Sequence, residues 1–286
     1  DLLFVEAAVN DLANKTPAAQ QQKAMEGIIR HALTANPYMN IILMAFADED
    51  KIRDYRNGKA PAEVALHDQL AKYYKLSFLN LAQEVQQRIA NKEFTWKDDF
   101  KDLHPSPFGQ EIYFQTIKTL LKNVAGQYRN ESLVKSILPA VQNKGYYGSG
   151  RYVSVDKATA LKGFSVTPNW QPNDKAETRA RFVHVPVLEA NQPGASFSFT
   201  FTGNAAGIAI VAGPDAGMIK YSVDGKPDKV MDLYTQWSGG LHLPWYLVLA
   251  DGLPKGKHIL KVQITAQKNK DSKGNACRIV YFLANE

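Results

Sequence analysis

The chain has little cysteine and no concentrated charge. Cys277 is the single cysteine among 286 residues, so the sequence holds no internal disulfide and no cysteine-based metal site. No apolar run is long enough to cross a membrane. The 34 basic and 28 acidic residues give a net charge of +6, and no run of five or six basic residues gathers it in one place. This pattern favours a solvated surface over a nucleic-acid interface.

The first 122 residues alternate between apolar, strand-like runs and segments with helical periodicity. Strands are predicted at residues 2–9, 40–46 and 76–81, and helices at 18–34, 61–74, 82–90 and 109–121. Strand–helix alternation at this spacing predicts a parallel sheet with helices on both faces, which is a three-layer α/β/α domain.

The beginning of the chain is unusual for such a domain. There is no initiator methionine or signal peptide, and Asp1 opens directly into the apolar run 2–9. Three strands also make a small sheet for this architecture. We therefore expect the α/β domain, residues 1–122, to be incomplete at its N-terminus.

Residues 123–144 are predicted to be a connecting segment that is partly helical around 132–137. After this segment the residue pattern changes. From residue 145 to 286, short runs with alternating polarity are separated by turn signals such as Asp224-Gly225 and Asp251-Gly252. Many short strands with such turns predict an antiparallel β-sandwich, jelly-roll-like in type.

The clearest chemical signal is a histidine beside a carboxylate, in Lys101-Asp102-Leu103-His104-Pro105-Ser106-Pro107-Phe108-Gly109. The two prolines and the glycine keep the backbone after His104 out of regular structure. A histidine on a loop that opens a helix suits general acid/base catalysis, because imidazole titrates near neutrality. The alternative is a surface histidine in a turn.

A side-chain amide follows the first predicted strand. Ligands bind outside the carboxyl ends of the strands in open α/β sheets, so Asn10 is placed to reach a reacting group. Asn10 or Asp11 could instead cap the segment that follows. An amide donor and an imidazole base at one edge of a sheet are the layout of acyl transfer.

These two segments resemble a known family. Ala8-Val9-Asn10-Asp11 resembles the third block of the SGNH (GDSL-type) hydrolases, usually Gly-x-Asn-Asp. Asp102-Leu103-His104-Pro105 resembles their fifth block, usually Asp-x-x-His-Pro, although the acid lies two rather than three residues before the histidine. The resemblance implies that His104 is the base, Asp102 orients it and Asn10 donates to the oxyanion. Asp99 or a carbonyl group is the alternative partner of His104.

The resemblance also implies an activity. It is serine hydrolysis of an acyl ester, with acetyl groups on a carbohydrate as substrate, no cofactor or metal, and export from the cell. The Gly-Asp-Ser block that supplies the nucleophile is absent from the sequence, so we expect a fragment with little activity of its own. The rival hypothesis is a non-catalytic carbohydrate-binding or interaction protein that acts through its β-sandwich. The sequence does not indicate an oligomeric state.

Other candidates have weaker signals. Ser106 and Ser149 are not on a strand-to-helix elbow, so neither is favoured as nucleophile. His67 is interpreted as a surface or packing residue, and Asp48-Glu49-Asp50 as a soluble loop or an edge of the active site. Structural roles are also favoured for the histidines without metal-type spacing, which are His31, His184, His242 and His258. The same role is favoured for the aromatics near loops of the second half, which are Trp170, Tyr234, Trp237, Trp245 and Tyr246. Rings at such positions can alternatively stack on sugar faces.

Overall fold

The computed structural model describes residues 1–127 and 134–286. The chain divides into two compact units, Asp1–Gly148 and Ser149–Glu286. Among the described residues, no helix combines the length and the apolar character that crossing a membrane requires.

The first unit is built on a parallel sheet. Its strands are β1 (Leu2–Glu6), β2 (Asn40–Ala45) and β3 (Ser77–Asn80), and its α-helices are α1 (Ala8–Ala13), α2 (Ala18–Ala35), α3 (Glu49–Arg56), α4 (Ala62–Tyr74), α5 (Leu81–Ala90) and α6 (Pro107–Gln127). The strand order is β1-β2-β3, with both neighbouring pairs parallel.

The central strand is covered on both faces, as expected for a parallel sheet. Successive side chains of a strand point to opposite faces. Ile41 and Leu43 of β2 therefore pack with the apolar sides of α2 and α4. Ile42 and Met44 pack on the other side with α5 and the beginning of α6. The predicted parallel α/β architecture is confirmed.

Two helices were not expected from the sequence. The predicted strand 2–9 ends at Glu6, and Ala8–Ala13 forms α1, because a short apolar run alone does not distinguish a strand from a buried helix. The acidic residues 48–50 are not a soluble loop, because they begin α3. The side chain of Asp48 caps this helix by accepting a 2.8 Å hydrogen bond from the N–H of Lys51.

The predicted connecting segment 123–144 is held on the first unit where it is described. Helix α6 continues to Gln127, and residues 134–137 are not helical, while 132 and 133 lie outside the described residues. The buried carboxylate of Glu26 accepts hydrogen bonds from the N–H groups of Gln142 and Asn143, at 2.8 and 2.9 Å.

The second unit is a mostly antiparallel β-sandwich, as predicted. Its strands are β4 (Gly150–Ser154), β5 (Ala158–Lys162), β6 (Ser165–Trp170), β7 (Glu177–Thr178), β8 (Val185–Ala190), β9 (Ser196–Gly203), β10 (Ala205–Ala212), β11 (Met218–Val223), β12 (Lys229–Asp232), β13 (Leu241–Ala250), β14 (Gly256–Ile264) and β15 (Cys277–Asn285). One sheet has the order β6-β8-β15-β10-β13-β7, with β4 also paired to β15. The other has the order β12-β11-β14-β9-β5.

The core of the sandwich lies between these sheets. Phe197, Phe199 and Phe201 alternate along β9 and face inward, where Phe199 stacks on Phe282 with ring centroids 4.1 Å apart. Strand β10 is buried throughout. It is covered on its outer face as well, where Ala209 and Val211 pack with Phe182 and Trp170.

Candidate active site

His104 lies on a short loop between a single π-helical turn and helix α6. The turn comprises Trp96–Phe100, and Lys101 follows it with φ of 86° and ψ of −66°. This is the conformation of a γ-turn that is rare and strained for a residue with a side chain. Phe100 is fully buried, and its carbonyl accepts a 3.0 Å hydrogen bond from the N–H of Ser106. The loop is thus pinned on both sides of Asp102 and His104.

The elements that flank the loop are anchored on the segment that follows β2. The N–H of Ala47 donates to the hydroxyl of Tyr113 in α6 at 2.8 Å, and the ring of Tyr113 stacks on Phe46 with centroids 4.8 Å apart. The indole N–H of Trp96 donates to Glu49 at 3.2 Å. The carboxyl end of β2 therefore positions the loop, and this is the edge where open α/β sheets bind ligands.

The structure brings Asp102 and His104 together without a hydrogen bond between their side chains. The Nδ1 atom of His104 lies 3.9 Å from Oδ1 of Asp102, and the same oxygen accepts a hydrogen bond from the backbone N–H of His104. Both side chains face solvent, with 89% of His104 and 67% of Asp102 exposed. Asp99, the alternative partner, instead accepts hydrogen bonds from the N–H and hydroxyl of Thr95.

Asn10 lies just beyond the carboxyl end of β1, in the first turn of α1. It does not cap that helix, because the N-cap residue is Ala7 and no side-chain hydrogen bond is made there. Asp11 is not a cap either, since its carboxylate lies 3.4 Å from Nε2 of the buried His67. Within residues 1–127 and 134–286, the amide of Asn10 makes no hydrogen bond or ion pair, so none joins it to Asp102 or His104.

A buried charged cluster adjoins α1, and no motif in the sequence indicates it. The ammonium group of Lys51 is fully buried, where it pairs with Asp48 and with Glu63, whose oxygen lies 3.1 Å away. It also donates to the carbonyl of Ala8 at 3.2 Å, in the segment that carries Asn10. Glu6, at the end of β1, accepts hydrogen bonds from the N–H groups of Val9 and Phe46, and burial raises its pKa.

Ser106, His67, His242 and His258 have structural surroundings. The hydroxyl of Ser106 donates to the carbonyl of Asp99, which engages it in the loop. His67 is buried, so the packing role is the correct one. His258 and His242 are buried next to Asp224 and Asp174, at 2.6 and 3.0 Å. Among the residues that the structure describes, no group of three or more potential ligands is arranged to hold a metal.

The five aromatic candidates of the sandwich differ in their exposure to solvent. Trp170 is buried, and Tyr234 and Trp245 pack against the core, so these three have the structural role. Trp237 and Tyr246 are instead about half exposed. Only for these two does the alternative of sugar stacking stay open.

The first unit is thus a parallel α/β fold with a histidine loop at the carboxyl edge of its sheet, and the second unit is a β-sandwich. Residues 1–112 match the model of the GDSL-like Lipase/Acylhydrolase family. The matched residues include Asn10, Asp102 and His104, so the resemblance inferred from the two sequence blocks is confirmed for this part of the chain.

Solved structures share the two-unit fold. The chain is similar to a two-domain esterase (CEX) active on acetylated mannans, with 15% identity and a TM-score of 0.65 over 93% of this chain and 68% of that one. The same kind of esterase co-crystallised with mannopentaose gives 16% identity and a TM-score of 0.66, over 98% and 75%. At such identity the likeness concerns the fold. No curated protein matches the chain.

Proposed function

We propose that this protein is a serine esterase of the SGNH type that removes acyl groups, acetyl in particular, from carbohydrate. The observation that carries the proposal is the exposed His104 on a strained, pinned loop at the carboxyl end of β2. This loop lies in the part of the chain that matches an acylhydrolase family.

The residues divide the reaction as follows. A serine hydroxyl attacks the carbonyl carbon of the ester while His104 accepts its proton, which gives a tetrahedral intermediate. The amide of Asn10 donates to the oxyanion. His104 then returns the proton to the sugar oxygen as the C–O bond breaks, which leaves an acyl-serine. Water, deprotonated by His104, hydrolyses the acyl-serine and releases the carboxylic acid and free serine.

Asp102 is the better candidate than Asp99 for orienting His104. Thr95 already occupies the carboxylate of Asp99 with two hydrogen bonds. Asp102 holds the backbone of His104 and has an oxygen 3.9 Å from Nδ1. A small rotation of the exposed imidazole brings this pair within hydrogen-bonding distance when the site closes on a substrate.

The nucleophile is proposed to lie outside the 286 residues, on a strand that pairs with β1. Parallel sheets are normally covered on both faces. Leu2 and Phe4 of β1 are nevertheless exposed, on the face that in β2 packs against α5 and α6. An additional strand and its helix beside β1 would cover these side chains. A serine at the end of that additional strand would lie next to Asn10.

The carbohydrate substrate is supported by likeness of fold to an esterase described as active on acetylated mannans. Export from the cell is part of the same proposal. Fold alone does not establish a substrate. The test is hydrolysis of p-nitrophenyl acetate and of acetylated glucomannan, each by the 286-residue chain and by a version extended upstream to include Gly-Asp-Ser. Both versions are compared with their His104→Ala variants.

Activity in the extended chain alone, lost with His104→Ala, is the expected result. A fluorophosphonate probe should label only the extended chain. Equal activity of both His104 variants and their parents would contradict the proposed mechanism. If neither version hydrolyses either ester, the rival function, carbohydrate binding without hydrolysis, is favoured.

A further inference from the structure

An aromatic patch lies on the outer face of the larger sheet of the sandwich. We call it the tyrosine platform and define it as Tyr152 of β4, Tyr246 of β13 and Tyr281 of β15. Tyr152 and Tyr246 are 59% and 52% exposed. The catalytic proposal makes no use of these residues.

The sheet register creates the platform. Ala209 of β10 is the cross-strand partner of Tyr246 on one side and of Tyr281 on the other. Because alanine is small, the ring of the buried Phe182 packs edge-on between these two tyrosines, with centroids 5.9 and 6.2 Å away. Both tyrosine rings are thereby held in place by apolar packing against Phe182.

The third ring, Tyr152, packs against both of these tyrosines. Tyr152 stacks on Tyr281 with centroids 4.7 Å apart and an interplanar angle of 28°. It makes the same angle with Tyr246, whose hydroxyl lies 3.5 Å from its own. Burial and the Tyr152 hydroxyl raise the pKa of Tyr246 to about 12, so this hydroxyl is a neutral donor at physiological pH. Fixed rings lose little conformational freedom on binding.

The exposed rings of the platform are too small to form a stable protein interface by themselves. A buried aromatic side chain covers about 150–250 Å², so two half-exposed rings offer about 200 Å² together. A stable protein partner needs about 800 Å² on each side. The exposed area is instead comparable with the faces of two sugar rings.

The charge around the platform does not suit a nucleic acid. Binding to single strands combines stacking with several phosphate contacts. Arg181 acts on Tyr246 electrostatically, while Arg151, beside Tyr152, is paired with Glu286. A flat, neutral ligand that carries C–H groups on its face and hydroxyls on its rim fits these rings, since the face of an aromatic ring is electron-rich.

We propose that Tyr152 and Tyr246 form a binding platform for a neutral polysaccharide chain, separate from the esterase site. The identity of the ligand rests on the proposed function, whereas the platform geometry does not. Because stacking uses the C–H face of a sugar, binding here is independent of acetylation. An ester site, in contrast, depends on the acyl group.

The test is affinity electrophoresis of the 286-residue chain in gels that contain acetylated glucomannan or the same polymer after alkaline deacetylation. We expect equal retardation in both gels. Tyr152→Ala and Tyr246→Ala should each weaken binding by about tenfold, the scale of losing one aromatic stacking partner. Tyr246→Phe keeps the ring and should retain most of the binding.

Matched variants make the result specific. Tyr38→Ala removes a tyrosine of similar exposure from the first unit and should have no effect. Unchanged binding in Tyr152→Ala and Tyr246→Ala, or loss of binding in Trp237→Ala alone, would overturn the platform. So would a dimer in solution that Tyr246→Ala dissociates. If the chain binds the polysaccharide but stays inactive when extended, the platform is supported and the esterase function is rejected. If the extended chain is active but Tyr152→Ala and Tyr246→Ala bind as well as the parent, the esterase function is supported and the platform is rejected.

Discussion

The imidazole Nδ1 of His104 lies 3.9 Å from a carboxylate oxygen of Asp102, while that oxygen accepts a hydrogen bond from the backbone N–H of the same histidine. The carboxylate therefore fixes the loop more firmly than it fixes the ring, since 3.9 Å exceeds hydrogen-bonding distance. We therefore expect His104 to contribute more to catalysis than Asp102.

In the chain extended to include its serine, His104→Ala should lower kcat by a factor of about 10² to 10⁴, because the general base is lost. Asp102→Asn should lower it by about tenfold or less, because the amide oxygen still accepts from the N–H of His104. The measurement is kcat and KM with p-nitrophenyl acetate. A larger loss in Asp99→Asn than in Asp102→Asn would assign the orienting role to Asp99.

The fit of Gly109 against the loop can be tested by adding one methyl group. A Cβ at Gly109 would lie 2.7 Å from Cβ of Pro105 and 2.9 Å from the ring of Phe100. Gly109→Ala should therefore destabilise the protein by about 1–3 kcal/mol through overpacking. Gly126→Ala, in the same helix with open space around it, should be stabilising by about 0.5–1 kcal/mol. Urea unfolding of both variants decides whether Gly109 is constrained by this contact.

Removing Lys51 from its buried cluster should strongly destabilise the first unit. Lys51→Met would leave the carboxylates of Asp48 and Glu63 without their cation in a buried site. Removal of one partner from a buried ion pair costs about 3–5 kcal/mol. We expect a corresponding fall in the free energy of unfolding, measured with urea. The exposed Lys59→Met is the control, and equal stability of the two variants would mean that the cluster is dispensable.

His258 and Asp224 should make the stability of the sandwich depend on pH. The ring nitrogens of His258 face two acceptors, Asp224 at 2.6 Å and the carbonyl of Pro254 at 2.8 Å, so only the protonated ring satisfies both. The hydrogen bond to Asp224 and then the one to Pro254 raise the pKa of His258, and the bond to His258 lowers the pKa of Asp224.

The signs of these pKa shifts define the range in which the pair stabilises the sandwich. The contribution of His258 is complete below the ordinary histidine pKa of about 6.5, and it is lost as the pH rises through its raised pKa. The contribution of Asp224 is present above about 3.9 and is lost as the pH falls through its lowered pKa. The difference in Tm between the parent chain and His258→Gln should therefore be largest near pH 5–6 and smaller at pH 9. A pH-independent difference, or an equal effect of the exposed His31→Gln, would contradict this expectation.

The thiol of Cys277 should be inert in the folded protein. Burial raises its pKa to about 12, so the reactive thiolate is scarce at neutral pH. Ellman's reagent should react with one thiol per chain in urea and with none in buffer. Rapid reaction in buffer would indicate that the sandwich opens locally at β15.

Much of the architecture was predictable from local patterns. Helix α4 ends at Tyr74 as its periodicity indicates and begins next to Pro61, which suits the start of a helix. Helix α1 was not predictable, because Ala8–Ala13 continues the apolar character of β1 and its helical state is selected by packing. The same holds for α3, because the sequence pattern around its capping residue Asp48 is equally typical of a loop.

The sequence by itself determined the order of the elements, the parallel sheet and the sandwich, and the pair Asp102 and His104. Periodicity and turn residues involve only a few neighbouring positions, so they can be recognised in the sequence without knowledge of the fold. The tertiary structure alone decided that Lys51 is buried against Glu63 and the carbonyl of Ala8, and that Tyr246 is exposed while Trp170 is buried. These facts depend on which residues meet across strands and helices distant in the chain, and no local pattern encodes such contacts.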